Sequence, residues 1–397
     1  MWLLNYLSSR RALARGLAFL VTFAFLFSAT AIAQQAPSTS KPSQPAPAEA
    51  GGPQGDIGPY TVPKKKEEPP PEPKTTAPKK IEGMPDYSIK VDTALVQVPV
   101  SVVTKDGQFI PGLKADNFRV FEDGVPQRIS NFELSKQAPI TAVMVIEFAA
   151  RAYRFVYDAL NASYTFAQTL KPSDWVAVIT FDIKPTILAD FTQDKGRVMS
   201  ALNSMRLPMF SETNLFDALY DTLDRVDAIE GRKYILLISS GCDTFSRTTY
   251  DQVLKKIKDT PNVTIFTVST GEALRLWLEA RGYGMQPSLF QCTDQMAFLQ
   301  ADNQMQTFAR MTGGRWYKPR FEAEMKDIFG DIGQNIRNQY VIAYRPTNPK
   351  LDGTYRKLKV EVVAPDGGQM HIRNQKGKDV KYTVLSRDGY MAKHQVE

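Results

Sequence analysis

The 397 residues, 43% hydrophobic and 23% charged, have the composition of an ordinary globular protein with room for two or three domains. The formal charge is +7, but Arg10, Arg11 and Arg15 in the N-terminal segment supply three of those charges. The +4 that remains excludes the basic footprint of a nucleic-acid binder.

Those arginines precede an apolar run from about Leu17 to Phe27 and then Ala31-Ile32-Ala33, the layout of a secretory signal peptide over 1–33 that engages the export machinery. Cleavage after Ala33 would release the chain to the periplasm or the medium. The alternative is an N-terminal membrane anchor, for which the run is shorter than the roughly 20 residues of a spanning helix. Residues 34–86 hold half of the 26 prolines and almost no large apolar residues, so they cannot bury enough surface to offset ordering entropy, and a disordered spacer is expected. Lys64, Lys65 and Lys66 sit among Glu67, Glu68 and Glu72, so local charge nearly cancels.

From residue 87 the pattern becomes that of strands: Val96, Val98, Val100 and Val102 alternate, and Asp106-Gly107 and Asp123-Gly124 are turn signals. Residues 87–136 are read as an N-terminal β segment. Over 137–322 apolar strands (Ala142 to Ile146, Val176 to Phe181, Tyr234 to Ile238, Val263 to Val268) alternate with helical stretches. The latter lie around Val156 to Leu170, Lys195 to Met205, Leu215 to Ile229, Tyr250 to Ile257 and Asp294 to Met311. Continuous apolar strands between helices argue a doubly wound, mainly parallel α/β sheet, with Thr186 to Phe191 as an antiparallel edge. Residues 323–397 read as a helix near Met325 to Ile336 followed by strands Gln339 to Tyr344, Tyr355 to Val363 and Val380 to Leu385. The α/β sheet is thus inserted between β segments expected to pair into a small β-sandwich.

Three stretches carry a family likeness. Pro139 to Glu147 resembles the first strand of a von Willebrand factor A (vWA) domain; Thr213-Asn214-Leu215-Phe216-Asp217-Ala218 resembles that family's Thr-x-Leu-Tyr-Asp-Ala segment. Ile238-Ser239-Ser240-Gly241-Cys242-Asp243 is similar to its Thr-Asp-Gly-x-Asp loop. The flanks, with Gly107, Leu113, Asp116, Glu122-Asp123-Gly124, Gln339-Tyr340, Pro346-Thr347-Asn348 and Gly389-Tyr390, resemble a vWA-related family abundant in Acidobacteria. The resemblance implies a non-enzymatic adhesion module in which five oxygen-bearing positions hold one Mg²⁺. Here those positions correspond to Glu147, Ala149, Arg151, Thr213 and Ser240, and only Thr213 keeps the family's residue.

The departures point to a dismantled metal site, no cofactor, and a protein partner of unknown identity. Arg151 can supply the positive charge the metal would have brought, pairing with Glu147 or with a partner's acidic group; the alternative is an exposed arginine on a helix. Asp243 is the one nearby carboxylate able to rescue a Mg²⁺ site with Glu147, Thr213 and Ser240. Asp217, Asp221, Asp224 and Asp227 read as a solvated helix face.

Residues 271 to 290 are expected to be a long excursion at the same sheet edge, with Leu274, Trp277, Tyr283 and Phe290 either as interaction anchors or folded onto the protein itself. Cys242 and Cys292 are a possible disulfide or two separate buried thiols. With only His371 and His394 in the chain and no Gly-rich phosphate loop, no familiar catalytic constellation can be assembled. A metal-independent binding module is the leading reading; a residual Mg²⁺-dependent adhesion site and an inert structural envelope subunit are the alternatives.

Overall fold

Strands with apolar residues at every position can satisfy themselves only in a sheet covered on both faces, and the central sheet here is built that way. The structure, a computed structural model, describes residues 95–135, 139–149, 163–205, 210, 212–280 (without the side chains of 277 and 278), 295–321, 323–373 and 377–392. The N-terminal segment and the proline-rich stretch lie outside them.

Six strands form the central sheet: β5 (Thr141–Glu147), β6 (Trp175–Phe181), β7 (Pro185–Thr192), β8 (Lys233–Ser239), β9 (Val263–Ser269) and β10 (Trp316–Tyr317). Their order is β10-β9-β8-β5-β6-β7, parallel throughout except for β7, which runs antiparallel at the edge. Every residue of β5, β8 and β9 is buried. Because side chains alternate across a strand, Met144, Ile146, Leu236 and Ile238 enter one core with α6 (Glu324–Arg337) and α1 (Lys195–Asn203). Val143, Val145, Ile235 and Leu237 enter the other, with α2 (Leu215–Asp227), α3 (Tyr250–Asp259) and α5 (Gln295–Met311). Helix boundaries follow local chemistry: Asp194 accepts from the Gly196 and Arg197 amides to start α1, Thr249 and Gln252 form a reciprocal cap on α3, and Gly313 follows α5 at φ +75°.

Two four-stranded antiparallel sheets flank this layer. One has the order β13-β1-β11-β4, from β1 (Val96–Thr104), β4 (Ile129–Ser135), β11 (Gln339–Tyr344) and β13 (Tyr382–Ser386). The other is β14-β12-β2-β3, from β2 (Phe118–Glu122), β3 (Val125–Gln127), β12 (Tyr355–Val362) and β14 (Gly389–Met391). Each combines strands from before and after the α/β insert. Their facing sides share one core, in which Val98, Val100, Phe118, Tyr340, Ile342 and Val360 meet. The fold is therefore an α/β insert in a β-sandwich.

Hydrogen bonds cross the junction between the two. Arg315 donates to the Lys105 carbonyl (3.3 Å), the Tyr234 hydroxyl to Gln339 (2.7 Å), and Arg310 pairs with Asp388 (2.6 Å). Gly107 sits at φ +93°, where a Cβ would collide with the Arg315 guanidinium; only glycine fits that turn.

One expectation is corrected. The excursion after β9 is not a long loop at its start: Gly271–Ala280 forms an α-helix, α4. Leu274 is buried against Cys242, Phe298 and Ala301, so it packs within the protein and does not point outward as an anchor. The spacing of Ala273, Leu274, Trp277 and Leu278 is helical, and a crossover helix after β9 is what a doubly wound sheet requires. Tyr283 and Phe290, and the side chain of Trp277, lie outside the described residues.

Candidate functional site

Parallel strands bring their carboxyl ends to one edge, where open α/β sheets place their ligands. Glu147 ends β5 there and is buried. Adjacent strands lie about 4.8 Å apart, and the extra methylene that distinguishes glutamate from aspartate lets the Glu147 carboxylate reach across to β8. Its Oε2 accepts from the Ser239 hydroxyl (2.7 Å), the Ser240 amide (2.6 Å) and the Ser240 hydroxyl (2.9 Å); Oε1 lies 3.1 Å from that same hydroxyl. The two serine oxygens in turn accept from the amides of Gly241 (2.9 Å) and Cys242 (3.3 Å), and Gly241 takes φ +80° to turn the chain at this point.

Thr213 is buried beside this cluster. Its hydroxyl donates to the Cys242 carbonyl (2.7 Å), and its backbone exchanges bonds with Thr244. Asp243 turns the other way, accepting from the Phe216 amide in the first turn of α2 (3.0 Å) and from the Ser246 hydroxyl (2.5 Å). Burial pushes the Asp243 carboxyl above the usual carboxylate range, against the pull of those bonds. Ala149 is fully buried and carries no hydroxyl. Arg151 lies outside the described residues, and its pairing with Glu147 therefore does too. Cys242 is disulfide-bonded; Cys292, the one other cysteine of the chain, is outside the described residues.

A hard divalent cation needs several oxygen donors free to converge, carboxylates among them. Here Glu147 already accepts from three donors, Asp243 caps a helix, and Ala149 offers no oxygen in its side chain. Among the described residues, the two carboxylates that a divalent cation would need are therefore already engaged.

Of the aspartates of α2, Asp221 and Asp224 are exposed, as a solvated face requires, while Asp217 and Asp227 are half-buried. Burial pushes Asp217 up, but hydrogen bonds from the Thr248 hydroxyl and from the Thr248 and Arg247 amides outweigh it, and its carboxyl titrates below the usual range. Lys256 pairs with Asp224 (2.8 Å) and Asp227 (3.4 Å). Asp221 is pushed up by burial and by Asp217 and Asp224.

Two features of this edge escaped the sequence. The first is an ion network beyond β9 and β10: the Ser269 hydroxyl donates to Asp302 (2.6 Å), and Lys318 pairs with Asp302 (2.7 Å) and Glu272 (3.4 Å). Burial lowers the Lys318 ammonium's pKa, but the two carboxylates outweigh it and hold it charged.

The second is a set of exposed apolar side chains. Ile183 is in the β6–β7 turn, Phe210 precedes Thr213, Phe245 (55% exposed) follows Asp243, Met296 (74%) and Leu299 open α5, and Phe321 (66%) follows β10. All lie at the carboxyl edge, because helices returning from parallel strands begin there. Among the described residues only Val125 and Ile187 are exposed large apolar residues elsewhere. Apart from the aromatic character of Phe245 and Phe321, the sequence carried no signal for this set.

No family model and no curated protein matches the chain. Solved structures similar to it include vWA proteins. A von Willebrand factor type A protein from Catenulispora acidiphila is 10% identical, with 69% of this chain and 75% of that one covered, at a TM-score of 0.38. The von Willebrand factor domain of the type V pili tip protein Mfa5 from Porphyromonas gingivalis is 14% identical over 51% of this chain and 96% of that domain, at 0.35. Proximal thread matrix protein 1 from the mussel byssus is 8% identical, and the chain spans half of its length, at 0.38. Likenesses of this degree carry nothing about ligand, partner or activity.

Proposed function

We propose that this chain is an exported, non-enzymatic binding module that engages a partner protein at the carboxyl edge of its central sheet and needs no metal to do so. The observation that carries this reading is the gathering of Phe210, Phe245, Met296, Leu299 and Phe321, all exposed, at the one edge where the strand-end oxygens have been closed off. Exposed apolar side chains concentrated on one face mark an interaction surface, and aromatic residues supply most of the energy at such surfaces.

Metal independence is supported by the Glu147 to Ser239 and Ser240 bonds, which occupy the carboxylate a cation would need. The disulfide at Cys242 suits an oxidising compartment, in keeping with the signal-like N-terminus. Among the described residues, no helix is long and apolar enough to cross a membrane. Delivery to the periplasm or the medium belongs to the same proposal.

The test has two arms. Melting curves in EDTA and then in millimolar Mg²⁺, Mn²⁺ or Ca²⁺ should superimpose; a ligand at 100 times its dissociation constant would add roughly 2.7 kcal/mol, so a clear rise would restore the Mg²⁺-dependent reading. A photo-crosslinking amino acid placed at Phe245 or Phe321 should trap another protein in the exported fraction, whereas the same probe at exposed Val125 on the sandwich should not. Equal trapping at all three positions, or none at 245 and 321, would refute the edge as the contact surface.

A further inference from the structure

The helices α3 and α5 end at the opposite, amino edge of the central sheet, and there they face the outer side of the β14-β12-β2-β3 sheet across a cleft of about 840 Å³. A second cavity of about 440 Å³ adjoins it, and the two share Arg310, Leu358, Lys359 and Asp388 as common wall. Two adjoining cavities with a common wall offer an extended chain successive places to rest.

Strand alternation sets its floor. Along β12, Arg356, Leu358, Val360 and Val362 are buried, which leaves Tyr355, Lys357, Lys359 and Glu361 on the outer face. The opposite wall brings Leu254 and Lys258 from α3 and Arg310 and Met311 from α5.

Charge is unevenly matched along this length. The two lining carboxylates are already paired, Asp388 with Arg310 (2.6 Å) and Glu361 with Lys359 (2.6 Å). Lys258 stands 5.2 Å from the centre of the Tyr355 ring, a cation–π contact. Among the described residues no carboxylate pairs with Lys258 or Lys357 in the larger cavity, or with Lys105 at the far end of the smaller one. Unmatched ammonium groups therefore stand at both ends, with apolar surface from Phe121, Tyr355 and Met311 in the larger cavity. The wall of the smaller cavity includes Thr383 to Ser386 of β13, an edge strand that among the described residues pairs with β1 alone. An edge strand leaves one row of backbone groups free for an added extended chain.

We infer that this cleft binds an extended acidic peptide segment of a partner protein, its carboxylates meeting Lys258 and Lys357 at one end and Lys105 at the other, its apolar side chains resting on Phe121 and Tyr355. The site shares no residue with the carboxyl-edge surface, so either can fail without the other.

The experiment is fluorescence anisotropy of a fluorescein-labelled peptide of alternating glutamate and leucine, titrated with the full chain. Its counterpart, in which every glutamate is glutamine, serves as the control. The acidic peptide should bind at least about tenfold more tightly than the control, and K258E/K357E should weaken it by about tenfold with an unchanged melting temperature, since both side chains reach solvent. Equal affinity for the two peptides, or undiminished binding to the variant, overturns the proposal.

Carbodiimide cross-linking of the acidic peptide to the unmutated chain gives an independent reading: adducts at Lys105, Lys258 or Lys357 support it, and adducts confined to other lysines overturn it. Sedimentation with phosphatidylglycerol vesicles that K258E/K357E abolishes, without peptide binding, would make the cleft a lipid site and likewise overturn the peptide assignment.

Discussion

Glu147 and Glu122 are both buried carboxylates met by hydroxyl donors, but they sit in differently built regions and secure different things. The donors to Glu147 come from the adjacent strand and its turn, Ser239 and Ser240, so the arrangement closes one edge of one sheet. The donors to Glu122 come from far along the chain: Tyr344 (2.6 Å) and Tyr390 (2.9 Å) are 222 and 268 residues away. Burial pushes both phenols well above the usual tyrosine range, with Glu122 reinforcing the shift, so they remain donors. The same chemistry thus performs a local closure in the insert and a long-range stitch in the sandwich, fastening a strand that precedes the insert to strands that follow it.

The contrast predicts unequal costs. Glu122→Ala should orphan one buried and one half-buried hydroxyl and destabilise the chain by about 2–3 kcal/mol, read from the midpoint of urea unfolding; a loss under about 1 kcal/mol would mean that the stitch is dispensable. Glu147→Gln should cost less, about 1–2 kcal/mol, because the amide oxygen can still accept at the Oε2 position and only the charge assistance is lost. If Glu147→Gln proved the more damaging, the edge cluster and not the chain-end stitch would be the main polar anchor of the fold.

The smallest effect concerns pH. Asp243 has its folded-state pKa raised, chiefly by burial, so the folded chain holds a proton there more readily than the unfolded chain. The associated stability is fully present below the ordinary carboxylate pKa and is lost as pH rises through the folded value. Asp243→Asn should therefore lose less stability than the unmodified chain as pH rises from the ordinary carboxylate range upward. Parallel stability curves for the two would show that burial does not burden Asp243.

Much of the fold was legible in the sequence for a simple reason. A strand buried on both faces must be apolar at every position, and β5, β6, β8 and β9 are nearly so; the alternation in β1 and β12 announced sheets with one wet face. The crossover helix α4 was missed because Gly271 and a cluster of large apolar residues look like the opening of a loop, although the spacing of Ala273, Leu274 and Trp277 fits a helix. At the site, the positions of Glu147, Thr213, Ser240 and Asp243 were legible from their resemblance to strand-end segments. That Glu147 spends its oxygens on Ser239 and Ser240 while Asp243 turns toward Phe216 and Ser246 was not, since it depends on side-chain reach across strands. Exposure at Phe245 or Phe321 is likewise a property of the assembled edge, invisible in a residue's neighbours along the chain.

The pairing of β4 with β11 has a mechanical consequence. The chain leaves the sandwich after Ser135 and re-enters it at Gln339, and these two residues face each other in register at one end of the same antiparallel ladder. A tug on the insert by anything held at its carboxyl edge is thus delivered to two neighbouring strands at the same end and in the same direction. That is the geometry of a zipper: the ladder would open rung by rung, from Gln339–Ser135 to Tyr340–Leu134 and onward, where a shearing load would have to break all its rungs together. The braces from Arg310 to Asp388 and from Arg315 to Lys105 then act as the catch that keeps the first rung from bearing the whole load.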